Sequence, residues 1–157
     1  MAEVRDRIVS LVEEAEGLIP QEWLTDLPPG EYTSGMPEWR PFEHQIWEIG
    51  EQIRQLVATQ TSLRRDVELQ DAFCRIACSR NAKNGRQPFI GLLAFTACVN
   101  QAPKIANQLG DYRVTGQVIN ALLRMRNGDY ATEIEPHKSS EKSWIRKKAE
   151  TYCTRYA

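Results

Sequence analysis

The sequence predicts an all-α protein, with antiparallel helical hairpins stacked as a short solenoid behind two N-terminal helices. Apolar residues recur every three or four positions along most of the chain. Short stretches rich in Pro, Gly and Asn separate these segments, and no hairpin turn signal joins two strand-like runs. With 157 residues, 41% hydrophobic and 26% charged, the chain suits one globular domain over residues 1–157.

The N-terminal part of this domain, residues 1–65, is expected to hold the two N-terminal helices. In the first, an apolar stripe runs from Val4 to Ile19 at helical spacing. Pro20 ends that helix, because its ring cannot continue the hydrogen-bond pattern. The following stretch, residues 21–27, is predicted to form a short helical turn.

A proline-rich loop over residues 28–41 separates the two helices. Its four prolines and two glycines cannot sustain a helix or a central strand. Pro41 suits the first position of the second helix, whose buried face runs from Phe42 to Val57.

The remainder, residues 66–157, is expected to form the hairpins. Asp66 can cap a helix after the polar stretch 59–65. The apolar run 89–99 fits either a buried strand or a buried helix on periodicity alone. We predict a helix, because its neighbours are helical and Ala, Leu and Cys outnumber β-branched residues there.

Two helices near the C-terminus repeat the same apolar spacing, and a shorter helical piece precedes each, at 103–109 and 130–137. A period of 31 positions lies in the range of two-helix repeats. The matched residues are Val114, Val118, Ala121, Leu122 and Met125 in the first helix and Ile145, Ala149, Tyr152, Cys153 and Tyr156 in the second.

The opposite faces of these two helices differ. Ile119 and Leu123 lie far from the main stripe of the first helix, so we expect that helix to be covered on two sides. The equivalent face of the last helix carries Glu150 and Thr154, as the outer face of a terminal repeat requires.

The C-terminal helix carries Trp144, Ile145, Arg146, Ala149 and Cys153. In this pattern it resembles the second helix of a HEAT repeat. The resemblance is good over residues 100–157, weaker over 66–99 and absent before the proline-rich loop, and in the preceding helix Thr115 stands where the family has Arg. The resemblance implies a curved α-solenoid that binds proteins or, in the DNA-alkylation-repair glycosylases, duplex DNA. Those glycosylases also need aromatic residues beside an acid, and we assign no residues of this sequence to that set.

Acidic residues are concentrated near the N-terminus and basic residues near the C-terminus, although the net charge is only −1. Residues 1–31 carry eight acidic and two basic residues, whereas residues 138–157 carry six basic and two acidic ones. Because complementary potentials steer association, we predict a non-catalytic protein-interaction module, an adaptor or immunity-type protein that masks a basic partner. The predicted partner-binding residues are Glu13, Glu14 and Glu16, with Tyr32, Met36 and Trp39 of the proline-rich loop.

The alternative is a HEAT-like protein that binds nucleic acid through basic turns. If the fold brings them to one wall, these residues would neutralise phosphates, although the pI near 6.2 is unfavourable. The candidates are Arg80, Lys83, Arg86, Arg113, Arg124, Arg126, Lys148 and Arg155.

Signals for catalysis are weak. The two histidines are explained by an exposed pairing of His44 with Glu43 and by a helix-end contact or simple exposure of His137. Cys74 and Cys78 share a helix face, but no second ligand pair suggests a metal, and no phosphate-loop, zincin or serine-hydrolase motif occurs. We therefore predict no catalytic residues, metal or cofactor.

Without a signal peptide or a run of about 20 apolar residues, we expect a cytoplasmic protein with reduced cysteines and no membrane span.

Overall fold

The structure, a computed structural model, describes residues 2–28 and 38–157, and every regular element within them is helical. The all-α prediction is thus confirmed for this part of the chain. The α-helices are α1 (Ala2–Leu18), α2 (Pro41–Thr59), α3 (Val67–Ala77), α4 (Gln87–Leu92), α5 (Ala102–Ala106), α6 (Thr115–Met125), α7 (Ala131–Ile134) and α8 (Ser143–Tyr156). Short 3-10 helices cover Thr61–Arg65, Arg80–Arg86, Thr96–Gln101 and Glu135–Ser139.

The ends of the first two helices follow the predicted proline signals. Helix α1 stops at Leu18, two residues before Pro20, and α2 begins at Pro41. The predicted helical turn at 21–27 is wrong, because this segment has no regular structure beyond a bend. Its side chains instead contact other elements, as described below.

Helix α2 packs closely on the chain between residues 80 and 88. A Cβ atom on Gly50 would lie 2.7 Å from Cβ of Pro88, and one on Gly85 would lie 2.9 Å from Cβ of Ile46. The buried carboxylate of Glu43 accepts hydrogen bonds from the backbone and side-chain nitrogens of Asn84 at 3.1 and 2.8 Å. These contacts hold the two segments in register.

Asp66 caps α3 as predicted, and it also joins α3 to α1. Its carboxylate accepts a hydrogen bond from the Leu69 backbone N–H at 3.1 Å. The Nε of Arg5 donates to the other carboxylate oxygen at 2.7 Å. The pKa of Asp66 therefore lies below its usual range, chiefly because of the hydrogen bond from Arg5.

The apolar run 89–99 is helical only in part. Helix α4 ends at Leu92, Phe95 is extended, and a 3-10 helix begins at Thr96. The buried side-chain amide of Gln70 donates to the carbonyl of Ala97 at 3.0 Å. A tertiary hydrogen bond thus satisfies the carbonyl of Ala97, which in an uninterrupted helix would accept from a backbone N–H of that helix.

Helices α6 and α8 have the faces that the sequence predicts. Ile119 and Leu123 are buried at 0% and 8% exposure, whereas Glu150 and Thr154 are exposed. The helical pieces before them, α5 and α7, are shorter than expected, although a 3-10 helix extends α7. Within the described residues, no helix has both the length and the apolar character that a bilayer crossing requires.

Candidate functional site

A groove lined by five arginines opens between the end of α6, the end of α8 and the two 3-10 helices that follow α2 and α4. Its volume is about 600 Å³, and the described residues that line it include no acidic one. The lining also includes the hydroxyl-bearing residues Thr61, Ser62 and Thr96. The arginines are Arg64, Arg65, Arg124, Arg126 and Arg155. We call this feature the arginine groove.

The arginines of this groove form no ion pair with any acidic residue that the structure describes. Among the described residues, each ion pair of a lysine or arginine involves other basic side chains, including Arg5, Arg75 and Lys83. Guanidinium groups without carboxylates nearby leave their planar donor forks available for a bound anion. The local excess of positive charge is therefore large although the whole chain is nearly neutral.

Phe95 forms the apolar centre of the groove. The Cζ of Arg64 lies 3.8 Å from the centroid of the Phe95 ring, and the Cζ of Arg124 lies 5.7 Å from it. The Nε of Arg124 also donates to the carbonyl of Ala94 at 3.2 Å. Cation–π contact and hydrogen bonding hold these guanidinium groups in place. The two side chains therefore lose less conformational entropy when a ligand binds.

One donor in the groove lacks a protein partner. The Nε of Arg64 is buried and makes no hydrogen bond to any described residue. A buried, unsatisfied donor is costly. The Arg64 side chain is held against the Phe95 ring despite that cost.

The backbone of Arg126 is in the left-handed region. Its φ and ψ are 60° and 39°, and it ends α6 through hydrogen bonds from its N–H to the last carbonyls of that helix. Glycine is the usual residue in this conformation, and a side chain there costs about 1–2 kcal/mol. Arg126 lines the arginine groove although its backbone conformation disfavours a side chain.

The structure separates the eight basic residues proposed for nucleic-acid binding. Arg124, Arg126 and Arg155 meet in the arginine groove. Exposed Arg80 and half-buried Lys148 do not line it. The other three, Lys83, Arg86 and Arg113, lie in the interior at 0%, 0% and 9% side-chain exposure.

Those three interior cations belong to a continuous ion-pair network. Lys83 Nζ lies 2.5 Å from Asp26 Oδ1, and Arg113 contacts both Asp26 and Asp111. Arg86 Nη2 lies 2.6 Å from Asp111 Oδ2. Burial acts to raise the pKa of Asp111, but hydrogen bonds and charge from Arg86 and Arg113 outweigh it and keep that pKa low. The charges of Lys83, Arg86 and Arg113 are thus compensated by Asp26 and Asp111, and these three residues lie apart from the arginine groove.

The acidic residues proposed for partner binding lie mainly along a second groove between α1 and α3. Glu13 and Glu16 line it, and Glu16 pairs with Arg75 at 3.2 Å. Val9, Val12, Leu69 and Ala72 supply apolar lining, and the volume is about 320 Å³. Glu14 is exposed on α1, and Trp39 is half-buried. Tyr32 and Met36 lie outside the described residues.

The structure also shows the surroundings of the two histidines and of the pair Cys74 and Cys78. His44 pairs with Glu48 at 3.2 Å and not with Glu43, which is buried, so the expected His44–Glu43 pairing is wrong. His137 lines a cavity of about 310 Å³ beside α8. The sulfurs of Cys74 and Cys78 are 3.7 Å apart as free thiols. No group of three or more potential metal ligands occurs among the described residues.

Sequence reasoning missed three central residues of the arginine groove, namely Arg64, Arg65 and Phe95. The adjacent arginines were visible in the polar stretch before Asp66, but nothing local distinguishes them from a solvated helix end. Phe95 belongs to an apolar run that reads as core. The helix is interrupted at Phe95, and its ring lies against Arg64. The local sequence does not reveal this interruption.

Comparisons with family models, curated proteins and solved structures give no match to this chain.

Proposed function

We propose that this protein is a non-catalytic module that binds single-stranded nucleic acid in the arginine groove. The observation that carries the proposal is the convergence, around one concavity, of five arginines that form no ion pair with any described acidic residue. The phosphates of a nucleic acid would complement the positive charge of the groove, because guanidinium groups bind phosphate oxygens in bidentate fashion. The hydroxyls of Thr61, Ser62 and Thr96 add neutral donors of the kind that contact nucleic-acid backbones.

The arrangement around Phe95 favours a single strand over a duplex. Arginine planes and aromatic rings form stacking platforms for unpaired bases, and that stacking does not depend on sequence. The guanidinium of Arg64 already lies 3.8 Å from the Phe95 centroid, so a base can extend the stack. A protein ligand with many carboxylates would satisfy the charge but not this platform.

The test is binding of a labelled poly(U) or poly(dT) oligonucleotide, measured by fluorescence anisotropy at two salt concentrations. If all five arginines contact phosphates, affinity should fall on the order of a hundredfold between about 50 and 200 mM salt. Arg65→Ala and Arg155→Ala should each weaken binding and reduce the slope of log affinity against log salt by about 0.7.

Arg80→Ala is the matched control, because Arg80 is exposed but lies outside the groove lining. This variant should bind like the unaltered chain. Equal losses for Arg80→Ala and Arg65→Ala would contradict the proposed site. Competition by polyglutamate as strong as that by poly(U) would reject a nucleic-acid role and assign the groove to an acidic protein.

A second proposal is the binding of a basic partner protein at the groove between α1 and α3. It is supported by the combination of apolar lining with Glu13, Glu16, Glu68 and Asp71, of which Glu16 and Glu68 already pair with Arg75 and Arg5 in the same lining. In an adaptor or immunity-type protein, this surface would mask a cationic partner. Reversing Glu13, Glu14 and Glu16 to lysine should abolish capture of such a partner, and unchanged affinity would exclude this surface.

A HEAT-like stacking of the C-terminal helices also remains a proposal. It is supported by the period of 31 positions and by the two-sided burial of α6 next to the one-sided burial of α8. In that arrangement the end of α6 and the end of α8 both contribute arginines to the same groove.

A further inference from the structure

The irregular segment 19–28 places one carboxylate against three donors. Lys83 Nζ lies 2.5 Å from Oδ1 of Asp26, and the Tyr112 hydroxyl donates to Oδ2 at 3.0 Å. Arg113 Nη2 donates to the same Oδ2. These donors come from the 3-10 helix Arg80–Arg86 and from the turn before α6. We call Lys83, Tyr112 and Arg113 the oxyanion cradle.

Two of the three cradle residues are held by the protein interior. Lys83 is fully buried, and Arg113 is 9% exposed and also pairs with Asp111 at 3.1 Å. Asp111 is in turn held by buried Arg86. The cradle therefore has a rigid backing that does not depend on Asp26.

The backbone of Lys83 supports a binding role. Its φ of 53° and ψ of −129° lie in a region that L side chains disfavour. Such conformations persist where the surrounding structure enforces them, and they cluster at ligand sites. Here the carbonyl of Lys83 accepts a hydrogen bond from Arg86 Nε at 2.8 Å, which helps to hold the strained residue in place.

Asp26, by contrast, sits on a segment attached by few contacts. Its side chain is 39% exposed. The segment is tied down mainly by the Asn81 side-chain amide, which donates to the carbonyl of Pro20 at 2.9 Å, and by Arg40, which donates to that of Thr25 at 2.8 Å. Trp23 covers the Lys83 ammonium at 3.7 Å from its ring, yet is 49% exposed. The segment that carries Asp26 is thus held less firmly than the residues of the oxyanion cradle.

We propose that Lys83, Tyr112 and Arg113 form a preorganised oxyanion-binding site, that Asp26 is its internal occupant, and that the carboxylate of a small ligand can replace it. Asp26 itself shows which group the cradle fits. None of the three cradle residues lines the arginine groove, so this site is independent of the proposed nucleic-acid binding.

The test removes the internal carboxylate and supplies one from solution. Asp26→Ala is titrated with sodium acetate, with sodium phosphate and with sodium chloride at matched ionic strength, and the thermal unfolding midpoint is recorded. Acetate should raise the midpoint of the variant saturably, and more than phosphate or chloride does. Adding Tyr112→Phe should weaken the apparent acetate affinity several-fold.

Asp6→Ala is the control, since Asp6 is an exposed carboxylate on α1. It should respond to the three salts as the unaltered chain does. Equal effects of acetate and chloride on Asp26→Ala would overturn the proposal and leave Asp26 as a structural ion pair. A stronger effect of phosphate would overturn the assignment to carboxylates.

The unaltered chain provides a readout that does not depend on the variant folding. A tethered carboxylate competes at an effective concentration in the millimolar range or above, so displacement needs a large excess of acetate. Under that excess, amide hydrogen exchange in residues 19–28 should accelerate several-fold relative to chloride, while exchange in α1 stays the same. Identical exchange in both salts would show that Asp26 cannot be replaced.

Discussion

Arg86 and Asp111 form an ion pair in the protein interior, with Arg86 Nη2 2.6 Å from Asp111 Oδ2 and side-chain exposures of 0% and 9%. Arg86 also donates to the side-chain oxygen of Gln108 at 3.2 Å. The pair links the 3-10 helix Arg80–Arg86 to the turn before α6. Because a buried charge is costly unless it is compensated, each member of this pair requires the other in the folded state.

Asp111→Ala should destabilise the protein by about 3–5 kcal/mol, because it leaves the buried guanidinium of Arg86 without a carboxylate. Urea unfolding followed by circular dichroism measures this loss. Asp6→Ala, on the exposed side of α1, should change the free energy of unfolding by less than about 0.5 kcal/mol. Similar losses for both variants would contradict the role given to the pair.

Arg126→Gly should separate stability from binding. Glycine accepts the φ of 60° without the steric cost of a side chain, so the free energy of unfolding should rise by about 1 kcal/mol. Binding of the oligonucleotide should weaken, since one arginine of the groove is lost. Arg126→Ala is the matched control, which should weaken binding equally without the gain in stability.

Acid should weaken the contact between α1 and α3. The folded-state pKa of Asp66 lies below its unfolded value of about 3.9, so its carboxylate stabilises the fold above about pH 4, and that contribution is lost as pH falls further. Asp66→Asn keeps a capping oxygen but removes the charge that pairs with Arg5. The stability difference between the two proteins should therefore be largest near neutral pH and shrink below about pH 4. A difference that is constant with pH would contradict this account.

Cys78 should be the most reactive thiol. The hydrogen bond with Cys74, together with nearby Lys104 and Arg86, lowers the pKa of Cys78 to about 7. Burial raises the pKa of Cys98 to about 11. Iodoacetamide should modify Cys78 first, with a rate that rises to half its maximum near pH 7, as measured by peptide mass spectrometry. Cys78→Ser should remove this fast phase, and first modification at Cys98 would contradict the assignment.

Several local features were predictable because their causes are short-range. A proline at the first turn and an aspartate at an N-cap act within a few residues, so the starts of α2 and α3 match the predictions from Pro41 and Asp66. The same holds for burial periodicity, since Ile119 is buried and Glu150 is exposed as expected. The helix predicted across 89–99 failed because the break at Phe95 depends on partners elsewhere in the fold, including Gln70.

The pattern of residues along the chain is enough to predict the helical class, the main helix starts and the two-sided burial of α6. Which cations face solvent depends instead on contacts between distant parts of the chain. Arg86 and Arg124 look alike along the chain, yet Arg86 meets a carboxylate 25 positions away at Asp111, whereas Arg124 meets the ring of Phe95. Whether a charge is neutralised inside or left for a ligand depends on which distant residue reaches it, and that is set by the packing of the whole chain.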